Sequence, residues 1–142
     1  LYLDRINIPG NVGAIIRTAD WFGFKRILLG VNSADIFNPK TLQSSMGSFW
    51  NVHMEIASEE LLLNSGLPII STDMDGLNYR EINWPESFIL LLGNESHGLP
   101  KHLKSVADIS ISIPSFGRPI VDSLNVAATA AVLMSVYRMN EI

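Results

Sequence analysis

The chain has 142 residues, of which 47% are hydrophobic and 17% charged, a balance that fits one globular domain and excludes a disordered chain. It contains no cysteine, so disulfide bonds and cysteine-ligated metals are excluded, and we expect a cytoplasmic protein. The net charge of −4 does not indicate a nucleic-acid-binding protein, and no apolar run reaches the roughly 20 residues of a membrane span.

Strand and helix patterns alternate along the sequence. We predict strands over 1–6, 26–29, 52–56, 69–72, 88–92 and 109–113. We predict helices over 12–22, 39–45, 58–63, 100–106 and 123–137, with Ser123 or Asp122 as the N-cap of the last. Residues 7–11 are predicted to form a turn and 73–85 a loop. Because the strands are apolar runs without a polar face, the predicted fold class is α/β, with a mostly parallel sheet covered by helices on both faces.

Three stretches follow predicted strands and contain unusual glycines and polar residues: 9–17, 92–100 and 113–125. In parallel α/β sheets, ligands bind in the crevice at the carboxyl ends of the strands. We therefore expect a ligand site where these three stretches meet. The alanine-rich helix that follows the third stretch indicates that another element packs closely against it.

The three stretches resemble the three motifs of the SpoU/TrmH family of RNA ribose 2′-O-methyltransferases, which belongs to the knotted SPOUT superfamily. The first motif is carried by Pro9, Asn11, Gly13 and Arg17. The second, Gly-x-Glu-x-x-Gly after an apolar strand, is carried by Gly93, Glu95 and Gly98. The third is carried by Ile113-Pro114 and Ser123-Leu124-Asn125-Val126. Each motif is weak alone, but their order and spacing agree with the family over nearly the whole chain.

The resemblance implies a deep trefoil knot, in which the C-terminal segment passes through a loop and S-adenosylmethionine lies bent inside it. Such threading is essentially absent from the general rules of chain topology. The resemblance places the cofactor contacts, largely through backbone groups, at Thr72, Gly93, Gly98, Ile113, Leu124 and Asn125. Glycines suit this role because a backbone without side chains can approach an adenosyl group closely.

The reaction implied by the resemblance is attack of a ribose 2′-hydroxyl of tRNA or rRNA on the sulfonium methyl group. The family's candidate for activating the hydroxyl is the motif-one arginine, here Arg17. A neutral guanidinium is costly because its pKa is about 12 or higher, so a bidentate grip on the neighbouring phosphate is the physically safer role, and both roles stay open. The residues expected to orient Arg17 and the ribose are Asn11, Glu95, Ser123 and Asn125.

The resemblance also implies a homodimer formed through the first and last helices, which would bring Arg17 close to the partner's cofactor. An apolar stripe on the last helix, Ala127, Ala130, Ala131 and Met134, would supply part of that surface. Many members carry a small RNA-binding domain ahead of this one. We expect residues 1–142 to be the catalytic domain without it, with RNA selectivity residing before Leu1, because few basic residues lie near the motifs: Arg5, Arg17, Lys101, Lys104 and Arg118.

Simpler explanations exist for several of these residues. Arg17 could be a surface ion-pair partner, Glu95 a helix cap, and Asn11 an ordinary turn residue. Asn125 is harder to dismiss, because asparagine is a poor residue inside a helix. His97 is a single loop histidine at a position that the family leaves free, so we predict that it is not catalytic.

Other functional classes stay open on sequence grounds. The segment from Gly10 to Gly13 could be a G-x-x-G loop that clamps a nucleic-acid backbone, although the chain has too many strands for such a small fold. A dinucleotide-binding module would need G-x-G-x-x-G after the first strand, which is absent. The main alternative is a catalytically inactive knotted module that binds RNA or a nucleotide. Because the three histidines have no metal-ligand spacing, no metal is expected.

Overall fold

A computed structural model describes residues 1–117 and 120–140. Within them the chain forms a sheet whose strands are β1 (Tyr2–Leu3), β2 (Arg26–Leu29), β3 (His53–Ile56), β4 (Ile69–Asn78), β5 (Ile89–Leu92) and β6 (Ile109–Ser112). The strand order is β3-β2-β1-β5-β4-β6, and every pairing is parallel. The helices are α1 (Pro9–Trp21), α2 (Pro39–Ser45), α3 (Glu59–Leu63), α4 (Lys101–Ser105) and α5 (Val126–Met139), with a short 3-10 helix at Ser48–Trp50. The predicted α/β class with a parallel sheet is confirmed.

The sheet is covered on both faces, as its apolar strands require. On one face the strand residues join α1 and α5 in a core that contains Ile15, Ile16 and Leu133. On the other face the strand residues join α3 and α4 in a smaller core that contains Leu62 and Leu103. The loops that follow β1 and β5 therefore lead to opposite faces, which opens a crevice between these two neighbouring strands at their carboxyl ends.

The start of α1 differs from the predicted turn over 7–11. The helix begins at Pro9, whose fixed φ and missing N–H suit the first helical position. Gly13 is needed because α1 packs closely on α2: a Cβ there would lie 2.4 Å from the Thr41 carbonyl oxygen and 2.6 Å from the Ser44 Cβ. The motif-one glycine thus has a packing role. At the preceding strand, β1 is shorter than predicted because Arg5 adopts a left-handed backbone conformation with φ of 51°.

The strand β4 is longer than predicted. Residues 73–78 continue it instead of forming a loop, and they pair with β6 after a shift of register between Thr72 and Leu77. The irregularity contains Gly76, where a Cβ would lie 2.6–2.8 Å from the backbone of Ile111. The close approach of the two backbones explains both the glycine and why an interrupted pattern conceals a strand.

The last helix begins at Val126, so neither Ser123 nor Asp122 is its N-cap. Asn125 is the cap, with its side-chain oxygen accepting hydrogen bonds from the N–H groups of Ala127 at 2.9 Å and Ala128 at 3.4 Å. The interpretation of Asn125 as a residue inside a helix is therefore wrong. In the described part of the chain, no helix is long and apolar enough to cross a membrane.

Candidate functional site

A chain of three side chains connects the loops that carry the three motifs. The Asn11 amide nitrogen donates to Glu95 Oε1 at 2.7 Å, and the Asn125 amide nitrogen donates to Asn11 Oδ1 at 3.1 Å. The three residues are separated by up to 114 positions in sequence. The structure therefore brings together three of the five predicted catalytic residues at the crevice between β1 and β5.

The orientation of each amide in this network is determined from both ends. An ionised Glu95 can only accept hydrogen bonds, so the Asn11 nitrogen must face it and the Asn11 oxygen must face away. The Asn125 oxygen is occupied by the first N–H groups of α5, so its nitrogen is the group left to face Asn11. Asn11 thus lies between a fixed acceptor and a fixed donor, and a change at either end would reorient it.

The second motif forms a compact loop that is held by Asn94. Its side-chain nitrogen donates to the Arg5 carbonyl oxygen at 2.8 Å, and its side-chain oxygen accepts from the N–H groups of Ser96 at 2.9 Å and His97 at 3.1 Å. The Arg5 Nη2 in turn donates to the Gly98 carbonyl oxygen at 3.4 Å. Sequence analysis missed Asn94 and this role of Arg5, although asparagine is the residue type expected to stabilise such a turn.

The two glycines of this loop serve different purposes. A Cβ on Gly93 would lie 2.5 Å from the Leu99 nitrogen and 2.6 Å from the Gly98 carbonyl carbon, so Gly93 allows the loop to close on itself. Close approach of a cofactor is therefore not needed to explain it. Gly98 has φ of 63°, and nothing in the described chain lies within 4 Å of its Cβ position. The space on the Cβ side of Gly98 is therefore open, although its N–H donates to the Asn94 carbonyl oxygen at 2.8 Å and its own carbonyl oxygen accepts from Arg5.

The residues predicted to contact a cofactor lie on adjacent strands and on the loop that follows them. Thr72 is half-buried, and its hydroxyl donates to the Leu91 carbonyl oxygen at 3.1 Å. Ile113 is half-buried at the end of β6, and Leu124 is 52% exposed. Since β5, β4 and β6 are neighbours in the sheet, the segments that follow them can line one cleft.

The third-motif loop, described over 113–117 and 120–124, has backbone groups without hydrogen-bond partners. Among the described residues, the backbone groups of 114–117 and 120–124 make no hydrogen bonds, and Gly117 has φ of 112°. The loop also exposes large apolar side chains: Phe116, Ile120, Val121 and Leu124. Free amide groups beside apolar side chains suit a nucleoside, whose base has polar edges and apolar faces. The residues present therefore fit an adenosyl cofactor.

Two predicted catalytic residues are not part of the network. Ser123 is exposed and makes no hydrogen bond with a described residue. Arg17 is also exposed, without a hydrogen bond or ion pair to residues 1–117 or 120–140. Six positions along α1 from Asn11 amount to about 9 Å along the helix axis and about 120° around it. Arg17 therefore points away from the Asn11 side of its own helix. Arg118, the basic residue predicted nearby, lies outside the described residues.

An ion pair connects the strand β4 to the helix that follows motif two. Lys104 Nζ lies 2.6 Å from Asp73 Oδ2. The hydrogen bond from Lys104 is the main cause that lowers the pKa of the Asp73 carboxyl group below its ordinary value. Asp73 follows Thr72 directly, so this pair helps to fix the strand on which Thr72 lies. In the described residues, no three His, Cys, Asp or Glu side chains are placed to hold a metal ion.

Comparison with known proteins places these motifs in a family. The sequence model of the SpoU rRNA Methylase family matches residues 1–135. The chain is 38% identical over 141 residues to the 23S rRNA (guanosine(2553)-2′-O)-methyltransferase RlmP of Bacillus subtilis, covering 94% of this chain and 55% of that protein. It is 31% identical to the 23S rRNA (uridine(2479)-2′-O)-methyltransferase of Streptomyces viridochromogenes, covering 92% and 49%. The chain thus spans about half the length of these relatives.

Solved structures agree with the sequence comparison. A TrmH-family protein from Porphyromonas gingivalis superimposes with a TM-score of 0.90 at 37% identity, covering 98% of this chain and 58% of that one. An AdoMet-bound rRNA methyltransferase from Sinorhizobium meliloti superimposes with a TM-score of 0.91 at 34% identity, covering 99% and 56%. The α/β fold with its parallel sheet is therefore shared with these proteins.

Proposed function

Because this chain belongs to the SpoU rRNA methylase family, we propose that it transfers a methyl group from S-adenosylmethionine to a ribose 2′-hydroxyl of tRNA or rRNA. The observation that carries the proposal is the hydrogen-bonded chain from Glu95 through Asn11 to Asn125, because it joins the three motifs at one crevice. Relatives whose names state 2′-O-methylation of 23S rRNA support the choice of reaction. Such RNA would be met in the cytoplasm.

The cofactor would lie in the cleft at the carboxyl ends of β4, β5 and β6. The residues proposed to hold it are Thr72, Gly93, Gly98, Ile113, Leu124 and Asn125. The AdoMet-bound rRNA methyltransferase from S. meliloti supports this choice of cofactor. When bound, the cofactor supplies an activated methyl group on a sulfonium, so binding and alignment are left to the protein. The backbone of the third-motif loop would contact the adenine edge, and its apolar side chains would exclude water.

We also propose the trefoil knot for this cleft. The strand β6 lies at the edge of the sheet, two places from β5, yet Asn125 contacts Asn11, which follows β1. The chain between them therefore returns across the carboxyl ends of β4 and β5. This return path supports a knot in which the C-terminal segment passes through a loop.

The network and Arg17 would act on the ribose together. Asn11 and Asn125 would orient the ribose hydroxyls by hydrogen bonds, and Glu95 would hold Asn11 in place. Arg17 would grip the adjacent phosphate with its planar guanidinium, and Ser123 would assist from the third-motif loop. Alignment of two bound reactants can account for roughly 7–11 kcal/mol of the barrier. The 2′-hydroxyl proton would pass to the phosphate, to water or to Arg17.

We propose that Arg17 acts in the cleft of a second copy of the chain. Its position on α1 supports this, since it points away from Asn11, and Trp21 one turn further along is 84% exposed. Ile8 and Leu124 are each 52% exposed and extend the apolar surface. The predicted stripe on α5 contributes less, because Ala130 and Met134 are fully buried within one copy. A homodimer would therefore use the outer face of α1 more than the alanines of α5.

Two measurements on the full chain test the proposal. Isothermal calorimetry with S-adenosylmethionine should show one site per chain, and light scattering at micromolar concentration should show a dimer. Absence of cofactor binding at millimolar concentration would refute the enzyme. Cofactor binding by a monomer without methyl transfer to any RNA would favour the catalytically inactive module.

A further inference from the structure

A cavity lies on the side of the motif-two loop that is opposite to the proposed cofactor cleft. It has a volume of about 200 Å³ and lies beyond the carboxyl ends of β1, β2 and β3. Its walls come from Asp4 and Arg5 after β1, Gly30 after β2, and the first residues of α3 and α4, which include Glu59 and His102. It shares the motif-two loop with the proposed cofactor cleft, because Arg5 donates to the Gly98 carbonyl oxygen.

Tyr2 forms part of the cavity wall and has an unpaired hydroxyl. The residue is 1% exposed, and among the residues that the structure describes its hydroxyl makes no hydrogen bond. Gly30 leaves space beside it, since a Cβ there would lie 3.2 Å from the Tyr2 oxygen. Burial, with Glu59 and Asp4 nearby, raises the pKa of Tyr2 to about 12, so the hydroxyl stays protonated and can donate. The hydroxyl oxygen keeps a small contact with the open cavity, so a molecule that enters the cavity can accept its hydrogen bond.

Asp4 provides a second unpaired atom at the same place. Its side chain is almost fully buried, and its Oδ2 accepts from Arg5 Nε at 2.9 Å. The other oxygen, Oδ1, has no hydrogen-bond partner in 1–117 or 120–140. The cavity thus presents a hydrogen-bond donor on Tyr2 and an acceptor on Asp4, both on side chains that are largely buried.

Both carboxylates at the cavity already have a hydrogen-bonding partner. Arg5 neutralises Asp4, and His102 Nε2 lies 3.0 Å from both carboxylate oxygens of Glu59. A ligand that brings no charge of its own disturbs neither of these pairs. A neutral, planar ligand that both accepts and donates hydrogen bonds fits the wall, and a volume of about 200 Å³ suits one aromatic ring system.

We propose that this cavity holds a nucleobase with an exocyclic amino group, belonging to a nucleotide that flanks the methylated one. The amino group would donate to Asp4 Oδ1, and the Tyr2 hydroxyl would donate to a ring nitrogen or carbonyl oxygen. RNA-binding proteins commonly read the edges of splayed-out bases in this way. The inference rests on the proposed function for the source of the base, which would be the RNA substrate.

The cavity can be tested without any enzymatic activity. The 15N-labelled full chain is titrated with AMP, GMP, CMP and UMP, each up to about 20 mM, which would saturate a site with a Kd of about 1 mM. The amide resonances of Gly30, Asn32 and Ala57 should shift with AMP, GMP or CMP, and at least about fivefold more weakly with UMP, which has no amino group. No shift at these amides with any nucleotide, or equal affinity for UMP, would overturn the proposal.

Three variants separate binding from stability. Tyr2→Phe should weaken nucleotide binding about fivefold without lowering the melting temperature, because the lost hydroxyl has no partner. Val31→Trp should block the mouth, since Val31 lines the cavity and is 76% exposed. Leu63→Trp, at a half-exposed position on α3 outside the cavity wall, is the matched control and should change nothing. If Tyr2→Phe instead lowers the melting temperature and leaves binding unchanged, the hydroxyl has a structural role and the proposal fails.

Methyl transfer to an unmodified rRNA transcript tells whether the base comes from RNA. Tyr2→Phe and Val31→Trp should raise KM for RNA at least about fivefold, with the Kd for S-adenosylmethionine unchanged. An unchanged KM in both variants would overturn the RNA assignment, leaving a site for free nucleotides. If the wild-type chain methylates no RNA, the proposed function fails, and the mononucleotide titration still decides whether the cavity binds a base.

Discussion

Asn125 has two separable roles, and substitutions can distinguish them. Its oxygen caps α5 by accepting from Ala127 and Ala128, and its nitrogen donates to Asn11. Asn125→Ala removes both roles. Asn125→Ser keeps a capping oxygen but has no amide nitrogen to reach Asn11. The difference in stability between the two variants therefore reports on the cap, and the activity that both lose relative to the wild type reports on the bond to Asn11.

The structure gives a magnitude for each role. Loss of the cap in Asn125→Ala should cost about 1 kcal/mol of unfolding free energy, equivalent to roughly 3–5 °C in melting temperature for a chain of this size. Asn125→Ser should stay within about 0.5 kcal/mol of the wild type. Loss of the bond to Asn11 should remove about 0.5–1.5 kcal/mol of transition-state stabilisation, or roughly 2- to 13-fold in kcat/KM, in both variants.

Thermal unfolding followed by circular dichroism measures the first effect, and single-turnover methyl transfer to RNA measures the second. The wild-type protein and a variant at an exposed position of α5, Ala128→Ser, serve as controls. If Asn125→Ser methylates RNA as fast as the wild type, the bond to Asn11 does not matter for catalysis and the network is only structural. If both variants lose activity only in proportion to unfolded protein, the same conclusion follows.

Three further predictions concern Arg17, Gly13 and the ion pair between Asp73 and Lys104. Arg17→Ala should leave cofactor affinity near normal but slow methyl transfer at least about 100-fold, which corresponds to about 2.7 kcal/mol of barrier. Arg17→Lys should restore little of this activity, because it lacks the planar guanidinium. An alanine variant with near wild-type activity in single-turnover assays would show that Arg17 is merely a surface charge. Gly13→Ala should destabilise the fold by about 1–3 kcal/mol, because its Cβ would clash with the Thr41 carbonyl oxygen. Gly10→Ala is the control and should be neutral or stabilising, because the atom nearest to its Cβ position, Ser44 Oγ, is 3.8 Å away. Equal denaturation midpoints for the two variants would contradict the close helix packing. Because the pKa of Asp73 is lowered, its ion pair with Lys104 stabilises the fold at pH values above the ordinary pKa of 3.8, and this stability is lost as the pH falls below that value. Lys104→Met should therefore reduce the melting temperature at pH 7 but not near pH 2. An equal reduction at both pH values would refute the pairing.

The sheet could be predicted because its strands follow a simple physical rule. Short runs such as Ile89–Leu92 are apolar on every residue, which only a strand buried on both faces tolerates. The position of the site followed from the same reasoning, since the polar stretches after β1 and β5 must meet at the carboxyl edge. The hydrogen bond between Asn11 and Glu95 is the direct consequence.

The errors arose where a long-range contact overrides a local pattern. The loop predicted over 73–85 contains Gly76, where the backbone of Ile111 occupies the space that a side chain would need, and the strand β4 continues through it. The predicted helix includes Asn125 because Ser123 is also a good capping residue. The Asn125 oxygen caps the helix instead, and its nitrogen contacts Asn11, both of which favour the later start. The unpaired side-chain oxygens of Tyr2 and Asp4 could not be predicted from sequence. Their cavity is formed by the loops that follow β1, β2, β3 and β5 and by the first residues of α3 and α4.

Nucleoside analysis of RNA treated with the protein is the most direct test of methyl transfer to a ribose hydroxyl. The full chain would be incubated with S-adenosylmethionine carrying a deuterated methyl group and with unmodified tRNA and rRNA transcripts, which are then digested to nucleosides for mass spectrometry. We expect a 2′-O-methylnucleoside whose added mass lies on the ribose fragment, at a level that falls strongly in Arg17→Ala. A label on the base fragment, or none with any RNA while S-adenosylmethionine binds normally, would contradict it.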